Sequence, residues 1–224
     1  MNKKIFLTSV LSISAISPVI ISAGCKKTVE NNSGLTFKYD SQTKTYFVSG
    51  VDRIKFDGKN PVVISELVIP SVWDGKAVTA ISPEVFYGLN TLTKITIPSS
   101  IQTIGAGAFK DANNLKEIVF EEGSKLSNIG EAAFQGCTSL EKITMPESLQ
   151  YIGNNAFKDC NGAKFEITIT GENKLFIGSN VFQNVSDSFK IIFSKINEDK
   201  INEGSSSIVN WKQGLTPNQI EFKN

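Results

Sequence analysis

Residues 92–115 read LTKITIPSSIQTIGAGAFKDANNL, and residues 140–160 read LEKITMPESLQYIGNNAFKDC. The two stretches share a leucine, an apolar-polar-apolar run, a proline, an Ile-Gly pair and an Ala-Phe pair in the same order. The phenylalanine recurs at Phe86, Phe109, Phe134, Phe157 and Phe182, at spacings of 23, 25, 23 and 25 residues. An isoleucine stands five places before each, at Ile81, Ile104, Ile129, Ile152 and Ile177, and glycine follows the last four, at Gly105, Gly130, Gly153 and Gly178. A fixed period of about 20 to 30 residues marks a solenoid, whose units bury their apolar sides against one another.

Within a unit, Leu92, Ile95 and Ile97 enclose polar Thr96, and Leu115, Ile118 and Phe120 repeat the run, as do Leu140, Ile143 and Met145. Such alternation predicts a strand. Pro70, Pro98 and Pro146 follow at once, which suits a strand end because proline cannot donate to a ladder. Further on, Ile81, Ser82, Pro83, Glu84, Val85 and Phe86 place a capping serine and a first-turn proline ahead of what reads as a short helical segment. The expected fold is therefore an α/β solenoid, rich in β, with short parallel strands and short helical turns. Seven residues separate Ile97 from Ile104 and Met145 from Ile152, whereas longer turns run through Gly123 and Gly171. Two kinds of turn account for the alternating period, and their variable length places them outside.

Cys137 and Cys160 lie three residues beyond their phenylalanines, in a slot that holds Leu89, Ala112 and Val185 elsewhere. Equivalence to apolar residues predicts a buried core position, for which a free thiol is suited. A disulfide or a two-cysteine metal pair is the alternative.

These phrases resemble BspA-type leucine-rich repeats, whose unit runs roughly Leu-x-x-Ile-x-Ile-Pro, Ile-Gly, Ala-Phe-x-x-Cys-x-x-Leu. The resemblance covers about five units over residues 67–193, and residues 69–86, IPSVWDGKAVTAISPEVF, resemble the entry unit of such arrays. It implies a curved, parallel-stranded solenoid of the kind found in secreted or surface proteins, often linked to adhesion or host-protein binding.

The amino terminus carries its own signal. Lys3 and Lys4 precede an apolar stretch from Ile5 to Ile21, then come the small residues Ser22, Ala23 and Gly24, and then Cys25. This is the three-part form of a secretory leader over residues 1–24. A membrane-spanning helix is the competing reading, against which stand Pro18, the interspersed serines and a 17-residue length at the short limit for spanning. Ser-Ala-Gly-Cys resembles a lipobox, with Ser22 where leucine is usual, and that resemblance implies a diacylglycerol thioether on Cys25. A lone cysteine near a cleavage site is the alternative. At about 0.8 kcal/mol per buried methylene, two acyl chains would hold the chain firmly on a bilayer. Residues 25–34 then form a lipidated tether, whose nine residues after Cys25 reach at most about 30 Å. The implied location is the cell membrane, lipid-anchored and facing outward.

Two flanks enclose the repeats. LTFKY and TYFVSG, separated by DSQTK, read as a β-hairpin within an amino-terminal β cap at 35–66. Residues 194–224, with Trp211, Pro217 and Phe222, read as a carboxy-terminal cap or tail.

Composition narrows function. Histidine is absent, which removes the usual general base near neutral pH and the commonest transition-metal ligand. Removing Lys3 and Lys4 from a whole-chain charge of +1 leaves −1, which gives no electrostatic case for nucleic-acid binding. Glu121 and Glu122 adjoin, but in a variable turn where carboxylates are ordinarily solvated. The expectation is thus no enzyme, no cofactor, no metal site and no small-molecule substrate. What remains is a protein-binding or adhesion module for host or matrix proteins, or else a structural coat or spacer without a tight ligand. Its candidate face consists of the outward strand positions Thr96, Val119, Thr144 and Thr168, flanked by Lys94, Lys116 and Lys142.

Overall fold

Each repeat contributes one longer strand, one two-residue strand and a corner of tight turns, stacked so that like elements pair with like. A computed structural model describes residues 34–223 apart from 54, 58, 59, 63, 163, 164, 172, 173, 197 and 203–210. Cys25, the leader at 1–24 and all but the last residue of the tether lie outside the described residues. In chain order, β1 (Leu35–Asp40) and β2 (Thr45–Val51) are followed by β3 (Lys55–Asp57), β4 (Asn60–Val62), β5 (Glu66–Val68), β6 (Val72–Trp73) and β7 (Lys76–Ile81). Longer and shorter strands then alternate as β8 (Lys94–Ile97), β9 (Thr103–Ile104), β10 (Glu117–Phe120), β11 (Asn128–Ile129), β12 (Lys142–Met145), β13 (Tyr151–Ile152), β14 (Glu166–Thr170) and β15 (Phe176–Ile177). β16 (Lys190–Ser194) and β17 (Ile220–Lys223) complete the order.

The short strands join β7 in one parallel ladder, β7-β9-β11-β13-β15, which β1 and β2 extend as an antiparallel pair. The longer strands form two ladders, β5-β8-β10 and β12-β14-β16-β17, every pair parallel. Alternation does what the pattern predicts: Ile95, Ile97, Ile143, Met145, Ile167 and Ile169 are buried while Thr96, Thr144 and Thr168 face outward.

The corner after each short strand is not helical, which corrects the expected α/β class to a β-solenoid of about five turns. Among the described residues the only helical elements are two 3-10 turns, Glu198–Lys200 and Pro217–Gln219. The reason lies in the backbone. The third residue after each repeat isoleucine (Glu84, Gly107, Ala132, Asn155, Asn180) has φ between 53° and 60°, and the seventh (Gly88, Asp111, Gly136, Asp159, Asn184) between 58° and 73°. Such left-handed conformers cannot lie in a right-handed helix but are required at the third position of a type II turn. Ser82-Pro83 therefore opens a turn, with proline before the positive-φ residue, and does not cap a helix.

This corner satisfies its own backbone. Ala108 N donates to Gly105 O (3.3 Å), Lys110 N to Gly107 O (3.0 Å) and Ala112 N to Phe109 O (3.1 Å), closing three successive turns. The intervening N–H groups of Gly107, Phe109 and Asp111 donate to Glu131, Ala133 and Gln135 of the next unit, each at 2.8 Å. Every second donor is thus spent locally and the rest bind the units together.

The repeated glycine after isoleucine has a steric cause. A Cβ at Gly130 would lie 2.6 Å from Ala106 N, and one at Gly105 would lie 2.5 Å from Pro83 N. The phenylalanines stack through the centre: ring centroids from Phe86 to Phe109 to Phe134 to Phe157 are 4.8, 5.1 and 5.2 Å apart, with planes within 16°. All are fully buried, and such stacked pairs add about 0.5–1.5 kcal/mol each beyond area burial.

At the far end, β17 pairs with β16, Phe222 stacks on Phe193 at 4.9 Å, and buried Trp211 meets Phe193 edge-on at 5.5 Å. Buried Gln219 donates through Nε2 to Ser186 O at 3.0 Å.

Candidate interaction face

Parallel strands in register place equivalent residues side by side, so the outward side of the longer strands carries rows running across the repeats. One row is Val68, Thr96 and Val119, continued on the second ladder by Thr144, Thr168 and Ile192. Of the sequence-derived candidates, Thr144 is exposed and Thr96, Val119 and Thr168 are half-buried. All are uncharged, and each has at least one buried isoleucine as its neighbour along the strand.

The lysines behave differently from a basic flank. Two residues earlier in each strand the ladders align Glu66, Lys94 and Glu117, then Lys142, Glu166 and Lys190, so that charge alternates in sign from strand to strand. Lys94 Nζ lies 2.9 Å from Glu117 Oε1, and Lys142 Nζ lies 2.7 Å from Glu166 Oε1. Exposed pairs of this kind contribute about 0.2–1 kcal/mol. Their larger effect is on the field, since Lys94 and Lys142 are each neutralised by a neighbouring glutamate. Lys116 is exposed but sits one residue ahead of β10, outside this row. The alternation was present in the sequence and emerges once the strands, rather than the phenylalanines, are aligned.

The two ladders part between β10 and β12. Glu141 N donates to Lys116 O at 3.1 Å at their start, but the strands do not go on to pair. Where they part, a cleft of about 730 Å³ opens, lined by Phe120, Met145 and Pro146 together with Glu121, Glu122 and Glu147. Ser148 Oγ lies 2.9 Å from Ser124 O and 2.7 Å from Leu126 O, its single proton shared between them, bracing one turn on the other. Glu121 Oε2 accepts from Ser99 N at 3.2 Å, and Lys195 Nζ lies 3.3 Å from Glu147 Oε1. The sequence reading placed Glu121 and Glu122 in a solvated turn, and both are exposed. The cleft beside them has no counterpart in the sequence pattern.

Cys137 and Cys160 occupy the core slot. Both are free and buried, with Sγ 3.1 Å from Phe109 O and Phe134 O respectively. Burial pushes both thiols well above their ordinary range, so they stay protonated and unreactive. Among the described residues no group of three or more His, Cys, Asp or Glu side chains is placed to hold a metal ion.

A family model of the BspA type leucine rich repeat region matches residues 64–208 in six copies. Among solved structures, the T. pallidum leucine rich repeat protein is 23% identical, with 86% of this chain and 80% of that chain covered at a TM-score of 0.57. That likeness shows the fold. A leucine-rich repeat protein from Bacteroides capillosus is 30% identical over 52% of this chain and 81% of its own, at a TM-score of 0.44. A leucine rich cell surface protein from Faecalibacterium prausnitzii is 19% identical over 80% of this chain and 55% of its own, at a TM-score of 0.45. No match is found among curated proteins.

Proposed function

The chain belongs to the BspA-type leucine-rich repeat family, and on that premise we propose that it is a bacterial surface lipoprotein, anchored through Cys25, whose solenoid is a protein-binding or adhesion module. The observation that carries this reading is the row Val68, Thr96, Val119, Thr144 and Thr168, an uncharged strip bordered by charges that cancel in pairs. Such a strip offers a partner β-branched contact area without the cost of stripping water from an unpaired charge. The leader-like residues 1–24 and Ser22-Ala23-Gly24-Cys25 support the anchor. Host or matrix proteins are the expected partners, and residues 35–66 serve as the amino-terminal cover of the core.

The same pairing of charges favours a second reading, a spacer or coat lipoprotein, because a neutral face repels little and attracts little. Two measurements separate these. The mass of the mature amino terminus, taken with proteolysis of intact cells, reports lipidation and exposure, and an unmodified Cys25 ends the anchor. Changing Thr96, Thr144 and Thr168 together to glutamate should abolish attachment to immobilised matrix proteins while the melting transition persists. Unchanged attachment would leave the spacer.

A further inference from the structure

The cleft between β10 and β12 is an interruption between two otherwise continuous ladders. β10 leads into the longer turn through Gly123 and β12 into the shorter turn through Pro146, and the cleft lies between these two turns. Phe120 takes the position that Ile97 fills one strand earlier, yet it is only half-buried while Ile97 is fully covered. An aromatic surface is therefore left facing the cleft, with Met145 and Pro146 opposite.

The chemistry around this apolar floor has one sign. Glu121, Glu122 and Glu147 all line the cleft, and Lys195 beside Glu147 offsets one of the three charges. The walls are braced by Ser148 and by the Ser99 contact to Glu121, so the shape is present before anything binds. Its volume of about 730 Å³ falls within the range of ligand clefts.

We propose that this cleft receives an extended segment of a partner protein in which a lysine or arginine stands next to an apolar residue. The apolar side chain lies over Phe120 and Pro146, and the cation sits among Glu121, Glu122 and Glu147. Charge complementarity of this kind selects the partner and speeds encounter more than it tightens the complex. The inference rests on reading the solenoid as a protein-binding module, but it uses neither the lipid anchor nor Thr96 and Thr168 of the row.

The test is a fluorescence anisotropy titration of the intact chain with a labelled hexapeptide of alternating lysine and valine, against a matched peptide of alternating glutamate and valine. The lysine peptide should bind, and the glutamate peptide should not. The double variant Glu122→Gln with Glu147→Gln should weaken binding about fivefold to tenfold, the sum expected from two exposed charge contacts. Binding should also fall as salt is raised. Glu121 is left in place because it holds Ser99. A row variant with only Thr96 and Thr168 changed to glutamate, leaving the cleft-lining Thr144 in place, separates the two sites: retained peptide binding assigns the peptide to the cleft even where attachment to matrix proteins is lost. No binding by the parent chain overturns the proposal, as does equal binding by the double variant.

Discussion

The turn corner and the longer-strand face are built from the same repeats, yet they constrain sequence in opposite ways. In the corner, position after position is dictated by backbone: a glycine where an added Cβ would lie 2.6 Å from the preceding unit, left-handed residues at two fixed places, a phenylalanine in a continuous stack. On the face, the outward residue is Val, Thr or Ile in turn, and even the sign of the bordering charge is not kept. The corner fixes the fold, and the face is left free to vary with what it meets.

That contrast can be broken by substitution. Phe134→Ala should remove about 3–5 kcal/mol of stability, because the vacated space lies between two stacked rings that cannot both close on it. Thr144→Ala on the face should change it by less than about 0.5 kcal/mol, and comparable losses measured by denaturant titration would erase the distinction. Gly130→Ala should cost about 1–3 kcal/mol through the clash with Ala106 N. Ser82→Ala, at the equivalent place in the first unit, should be close to neutral, since a Cβ is already accommodated there.

A gain is expected at Ala132, which holds φ at 53° with a side chain that disfavours it. Ala132→Gly should raise stability by about 0.5–1 kcal/mol, strain relief exceeding the added freedom of the unfolded chain; a loss would mean that the Ala132 methyl contributes packing. The smallest effect belongs to the face: Glu166→Lys, which sets three cations side by side with Lys142 and Lys190, should cost about 0.5 kcal/mol. The cost should shrink in 1 M salt, where screening acts within about 3 Å.

Much of this architecture could be read in advance. The period, the buried isoleucines, the phenylalanine column and the core slot of Cys137 and Cys160 all follow from residues that recur in register. The helical corner was misread because Ser82-Pro83 opens a helix and a type II turn equally well. The discriminating signal stood five residues further on: Gly88, Asp111, Gly136, Asp159 and Asn184 are the residue types that accept positive φ, and no helix repeats them at one position. Asp74-Gly75, with φ of 45° and 72°, is likewise the signature of the two-residue hairpin joining β6 to β7. The cleft was hidden for a different reason. It lies where two neighbouring longer strands do not pair, a relation between units that no single unit encodes.

The alternating charges carry a consequence for how such an array can change length. Because Glu66, Lys94, Glu117, Lys142, Glu166 and Lys190 change sign at each step, and because the spacings alternate 23 and 25, the true period of this solenoid is two units. Loss of the single unit containing Glu117 would set Lys94 beside Lys142 and join two turns of the same kind. Loss of a pair restores both patterns. The array therefore has a parity, and lengthening or shortening by even steps is the route that leaves its surface in balance.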